Sequence, residues 1–176
     1  MNQLKMDMSL QDSSKAFRLA LGRFPTGVTV ITGRDPISKA PVGLTVSSFN
    51  SLSLNPPLVT WAISNKSPNL PAFTKGQAHF IHVLNAGQAE IAKNFATPKP
   101  DKFAGVAIRP NAVKQDPPRL ADSCVWFNCI THELVQAGDH TLVIARVKDY
   151  ETYENESLVF CKSSFFSSEA LERISG

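Results

Sequence analysis

Apolar side chains recur along this chain mainly at every second position, in short runs interrupted by Gly, Pro and Ser. The segments 27–32 (G-V-T-V-I-T), 42–47, 58–63 (L-V-T-W-A-I) and 79–84 (H-F-I-H-V-L) alternate or are rich in β-branched residues, and each predicts a strand. Three further strands are predicted at 123–134, 141–153 and 157–161, with Q-A-G-D-H (136–140) a turn by composition. Helical spacing occurs in two places. Ser13 and Ser14 offer caps for a helix over 15–23, in which Phe17, Ala20 and Leu21 share a face; Gly22 and Pro25 mark its end. Over 86–95, Ile91, Ala92 and Phe95 form an apolar face opposite Gln88, Glu90, Lys93 and Asn94. Segment 67–74 reads as a short helix or turn, 168–174 as a short terminal helix, and 33–41, 97–101 and 107–120 as irregular. Many short strands with two or three helices predict a mainly β fold. The expected architecture is an antiparallel, Greek-key-like barrel, closed or half-closed, with a few peripheral helices, rather than a doubly wound sheet.

A chain of 176 residues predicts one domain with a single sizeable core. We expect a flexible lead-in over 1–12, the domain over 13–165 and a tail over 166–176. The net charge of +3 comes from scattered basic residues, with no Lys/Arg stripe interleaved with aromatics, so a nucleic-acid partner is not expected. The opening ten residues lack an apolar signal core, and no apolar run is long enough to span a bilayer. These readings predict a soluble, cytoplasmic protein without a membrane partner. Cys124, Cys129 and Cys161 are odd in number and form no C-x-x-C pair, which predicts buried reduced thiols rather than a disulfide framework.

The chemistry concentrates between residues 41 and 57, P-V-G-L-T-V-S-S-F-N-S-L-S-L-N-P-P. Thr45, Ser47, Ser48, Ser51 and Ser53 are interleaved with Phe49, Leu52 and Leu54. Small hydroxyls among apolar anchors suit a phosphate-bearing aromatic ligand; they equally suit a serine-rich hairpin connection. The expected nucleotide and metal signatures are missing: no G-x-G-x-x-G after a strand, no Walker A sequence, no H-E-x-x-H and no G-x-S-x-G. His79 and His82, three apart on a predicted strand, face opposite sides and make a poor metal pair, so no metal site is expected. An enzyme built from these parts needs an organic cofactor to carry its chemistry.

Five stretches, in order, carry a resemblance: F-R-L-A-L-G-R-F-P-T-G-V-T-V-I-T (17–32), P-V-G-L-T-V-S-S-F-N-S-L-S-L-N-P-P-L-V (41–59), H-F-I-H-V-L-N-A-G-Q (79–88), F-A leading to D-K-F-A-G-V (95–106), and A-G-D-H-T-L-V-I-A-R-V (137–147). The chain resembles the flavin reductase-like family, whose fold is the FMN-binding split barrel. Its members are the small reductase components of two-component flavin-dependent monooxygenases. The resemblance implies an NAD(P)H:flavin oxidoreductase that uses FMN or FAD with NADH or NADPH. It also implies a homodimer and an oxygenase partner that receives the reduced flavin. A non-catalytic flavin carrier or redox sensor is the alternative, and an oxidase of the same fold acting on a vitamin-like substrate is a third reading.

By the same resemblance, Thr45, Val46, Ser47 and Ser48 run along the flavin, where the bland reading is a polar-capped barrel strand. Ser64, Asn65, Lys66 and Ser67 form either a phosphate-gripping turn or a solvated one. Pro25, Thr26 and Gly27 are expected near the ring, with Gly27 permitting close approach. Lys102 and Phe103 match a position near the flavin, or are a helix-end charge and a core aromatic. Gln88 and Phe95 read as structural. His140 is the implied catalytic residue, placed at the nicotinamide and oriented by Asp139 after the turn glycine Gly138; the alternative is a histidine capping a hairpin. The family's terminal apolar-aromatic strand is replaced by L-V-F-C-K-S-S-F-F-S-S, so Phe165 and Phe166 either take over that packing or line the site.

Overall fold

Twelve strands and two helices follow from this pattern in a computed structural model, which describes residues 10–110, 113 and 115–171, with side chains from residue 14 onward. Of the lead-in expected over 1–12, residues 10–12 belong to the first helix and 1–9 lie outside the described residues, as does the 172–174 part of the terminal helix expected over 168–174. Helix α1 spans Leu10–Leu21. Ser13 and Ser14 therefore lie within it rather than capping it, and the chain leaves the helix as Gly22 N donates to Arg18 O.

The main sheet is antiparallel throughout. It contains β2 (Thr29–Arg34), β3 (Pro41–Val46), β4 (Asn50–Leu54), β5 (Pro57–Ser64), β6 (Ala78–Val83), β9 (Val125–Ala137) and β10 (His140–Thr152), in the order β3-β2-β6-β9-β10-β5-β4. A smaller sheet joins β1 (Thr26–Gly27), β11 (Leu158–Cys161) and β12 (Ser164–Ser167), and β7 (Ile108–Arg109) pairs with β8 (Arg119–Leu120). The region read as irregular, 107–120, thus holds two short strands. Strand β12 crosses residue 165, and only Ser168–Ala170 follows it as a 3-10 turn. The Ser51 and Ser53 hydroxyls, grouped by sequence with the ligand-facing block, lie on β4, the outer edge strand of the sheet.

The seven strands curl so that β3 approaches β5 without a strand ladder between them. Ser48 bridges the gap: its Oγ accepts from Ala62 N at 2.9 Å. Ile31, Trp61, Ile63, Phe73, Ile81, Cys129 and Val143 fill the barrel interior. On the outer face of β2 and β6, Val30, Leu84, Phe95, Leu120 and Leu158 form a second core under helix α2 (Ala89–Ala96). Strand β2 is therefore buried on both faces. Helix α2 opens through a short 3-10 turn, Ala86–Gln88, closed by a capping box between Asn85 and Gln88. Gln88, read on the polar face, is buried there and donates to Ala121 O. His79 and His82 do face opposite sides, the first against Trp61 and Phe73 inside, the second between Val30 and Leu120 outside.

Candidate functional site

The split between β3 and β5 opens into a cleft of ≈ 470 Å³. One wall is Leu44, Thr45 and Val46 of β3; the other is Ala62, Ile63 and Ser64 of β5. Ser67 and Asn69 stand at one margin, Lys99 and Lys102 at another, and His140 looks in from the start of β10. A cleft of this size falls within the range of organic-ligand sites. A larger cleft, ≈ 580 Å³ beside Arg34, Lys39 and Asp116, contains none of the residues singled out in the sequence.

Strand β3 has a free edge, and its polarity can be assigned. The Gly43 carbonyl accepts from Lys102 Nζ at 3.3 Å and Asn69 Nδ2 at 3.4 Å, both outside the β2 ladder. Alternate residues of an antiparallel strand turn their N–H and C=O groups to opposite sides. Gly43 and Thr45 thus present both groups to the split, while Val42, Leu44 and Val46 bond β2. Val28 O, turned towards β6 through Leu84 N, fits the same alternation. The Gly43 and Thr45 amides and the Thr45 carbonyl, outside the β2 ladder, match donors and acceptors of a pyrimidine-like ring edge, while the Gly43 carbonyl is already taken by Lys102 and Asn69. Thr45 Oγ1 donates to Ala92 O at 2.7 Å, which leaves its lone pairs as acceptors.

Lys102 supplies the charge. Its ammonium donates to Phe95 O at 2.8 Å, closing a free carbonyl at the end of α2, and to Gly43 O. Burial holds it below the ordinary lysine range. An ammonium carries three donors, so one N–H remains for an anion in the cleft.

His140 sits beside the two-residue tip of the β9–β10 hairpin. Gly138 adopts φ +61°, a left-handed position that suits glycine at such a tip. Asp139 Oδ1 lies 2.7 Å from His140 Nδ1, and this hydrogen bond, ahead of the coulombic contribution of the same ring, lowers the Asp139 carboxyl below its usual range. The tip is fastened to the β5 end by Asn65, whose N donates to Asp139 O, whose Nδ2 donates to Gly138 O and whose Oδ1 accepts from Thr141 Oγ1.

The cleft thus collects Thr45, Val46, Ser64, Ser67, Lys102 and His140, residues distant in sequence. Ser47 lines an adjoining apolar pocket of ≈ 210 Å³ with Val28, Phe160 and Phe165. Phe165 both lines this pocket and packs on Phe160 at 5.2 Å, whereas Phe166 is exposed. The other candidates lie elsewhere. Pro25, Thr26 and Gly27 line neither cavity, because β1 pairs with β11 in the outer sheet; a Cβ on Gly27 would meet nothing within 4 Å. Ser48 has its hydroxyl on Ala62, Asn65 is committed to the hairpin tip, and Lys66 points to solvent beside Asp139. The Phe103 ring packs edge-on against Phe95 at 5.0 Å, outside the central cleft. Sequence reading missed Asn69 and Lys99. Both stand beside prolines, in segments whose only signal was turn composition.

Residues 21–169 match the family described as flavin reductase like domain, and the chain belongs to that family. Among relatives, it is 35% identical over 155 residues to the stachydrine N-demethylase reductase subunit Stc3 of Rhizobium meliloti, covering 87% of this chain and 65% of that one. It is 34% identical over 150 residues to a flavin reductase of Pseudomonas putida, covering 85% of this chain and 86% of the other. The first curated relatives are longer, and the chain spans about half to two thirds of their length. Among solved structures, the Streptomyces globisporus NADH:FAD oxidoreductase SgcE6, in complex with NAD and FAD fragments, superposes with a TM-score of 0.81 at 28% identity, over 96% of this chain and 97% of that one. The split-barrel fold is that of these flavin reductases.

Proposed function

We propose that this protein is an NAD(P)H-dependent flavin reductase that passes hydride equivalents to FMN or FAD and releases the reduced flavin to a partner oxygenase. The observation that carries the reading is the cleft on the free edge of β3, faced by His140 and closed at one margin by Lys102. Flavin, when bound, supplies the hydride and electron chemistry that no side chain here can perform. The chain's own residues bind and orient. Gly43 offers a backbone donor, Thr45 a donor and an acceptor, Val46 continues that wall with Ser47 in the pocket beyond it, Ser64 and Ser67 add hydroxyls, and Lys102 adds charge. His140, held by Asp139, positions the nicotinamide at the open side of the cleft. A direct hydride step needs orientation rather than a protein proton, so the advantage gained is that of proximity.

The expected domain, 13–165, performs this function together with the remainder of β12 to Ser167, and we place the protein in the cytoplasm, where reduced nicotinamide nucleotide is available. Among the described residues no helix is long and apolar enough to cross a membrane. We further propose a homodimer, supported by the exposed apolar side chains of α1.

The experiment is NADH and NADPH oxidation followed at 340 nm with and without added FMN or FAD. Oxidation that requires flavin supports the proposal. No turnover with either flavin and either nucleotide rejects it.

A further inference from the structure

Three hollows lie in series along β3. The apolar pocket flanks Thr45 to Ser47, the central cleft flanks Leu44 to Val46, and a third groove of ≈ 380 Å³ flanks Pro41 to Gly43. The third groove shares Asn69, Lys99 and Lys102 with the central cleft, so the two are continuous at the cationic margin. We propose that this groove holds the adenylate end of a dinucleotide flavin and makes FAD, rather than FMN, the preferred flavin. The inference rests on the flavin reductase reading.

Its chemistry is that of a second phosphate and a nucleoside. A flavin phosphate bound at Lys102 stands where the cleft meets the groove. A mononucleotide ends there, whereas a pyrophosphate continues past it to Lys99. Among the described residues Lys99 Nζ has one neutral partner, Asn94 Oδ1 at 2.6 Å, and no carboxylate, which leaves its charge for an anion. The one acid lining the groove, Asp101, accepts Phe103 N and Ala104 N at its Oδ1, so that oxygen is already occupied. Pro41, Pro100 and Phe103 give the groove apolar surface on which a purine can rest. The adjoining apolar pocket, by contrast, offers one cation, Lys93, already paired with Glu90, and suits a ring rather than a phosphate.

The test is equilibrium binding of FAD, FMN and NADH, by flavin fluorescence quenching and calorimetry, to the wild type and to Lys99→Glu. FAD should bind about tenfold more tightly than FMN, and reversing this rim charge should weaken FAD by about tenfold while FMN changes less than about twofold. AMP should displace FAD competitively and leave FMN bound. Equal affinity for both flavins, equal weakening of both by Lys99→Glu, or a loss confined to NADH overturns the assignment of the groove and leaves the reductase reading standing. Failure of both flavins to bind overturns both readings.

Discussion

His140 is the side chain on which catalysis and simple binding part company. Its ring is half exposed and held at 2.7 Å by Asp139, so it is oriented without being buried. If it positions the nicotinamide, His140→Ala should lower kcat/KM for NADH by roughly 5- to 30-fold, the equivalent of about 1–2 kcal/mol of lost contact. Flavin affinity, measured separately by quenching, should hold within about twofold; an equal loss of both would make His140 part of the flavin wall instead. Gly43 carries a second expectation. A Cβ there would lie 2.5 Å from Phe95 Cε1 and 3.4 Å from Phe103 Cζ. Gly43→Ala should therefore destabilise the fold by about 1–3 kcal/mol through overpacking, read as a lower urea midpoint. Because Phe95 also lines the cleft, flavin affinity should fall with it, and an unchanged midpoint would show that the ring yields freely. His140 was singled out in the sequence through G-D-H, whereas Gly43 lay unremarked within P-V-G-L-T-V. Lys99 was missed as well, because a lysine between prolines gives no sign of which cavity a returning loop will border.

At the level of elements, His82 clasps three strands. Its Nδ1 lies 3.0 Å from Val30 O on β2, and Leu120 N on β8 donates to its Nε2 at 3.1 Å. An accepting Nε2 requires the neutral ring protonated at Nδ1. Burial lowers the pKa of His82, and separately that of His79, from 6.5 to about 4. Between about 4 and 6.5 the unfolded chain then binds protons that the folded one refuses. Stability is complete above 6.5, declines as pH falls through this window, and levels off below about 4, by up to roughly 3 kcal/mol per ring. Urea midpoints at pH 7.5, 6 and 5 should fall in that order; a flat profile would mean that these rings do not resist protonation. The strands that form this clasp show how unevenly the elements were legible. Strands β5, β6, β9 and β10 were legible in their apolar runs, most clearly β6 by alternation, and β2, buried on both faces, by its β-branched residues. Strand β4 did not, because an edge strand rich in serine has the composition of a turn. Strands β7 and β8 are two residues each in a proline-rich segment, and tertiary packing against His82 defines them more than local propensity does.

For the whole molecule, an antiparallel barrel was readable from strand count and the scarcity of helices, whereas its split form and the association of chains came only from the family resemblance. Helix α1 has an apolar face at helical spacing, Phe17 and Leu21, continued by Phe24. In a core-packed helix that face is covered. Here Phe17 is 64%, Leu21 57% and Phe24 74% exposed, while the helix end is tied to the body where Lys162 N donates to Gly22 O. Solvated apolar side chains grouped on one element are what an association surface presents before its partner arrives. If that partner is a second copy, light scattering should give a mass of two chains. The pair of substitutions Phe17→Asp and Leu21→Asp should then give a monomer with unchanged β circular dichroism, since neither side chain supports the barrel interior. A wild-type monomer at micromolar concentration would defeat the dimer, and a variant that stays dimeric would move the interface away from α1. The same variant separates assembly from chemistry. The central cleft is built from β3, β5, β10 and the 96–102 segment of a single chain, so flavin binding should persist in the monomer. If binding disappears with the dimer while the barrel remains folded, the cleft must be completed by residues of the second chain.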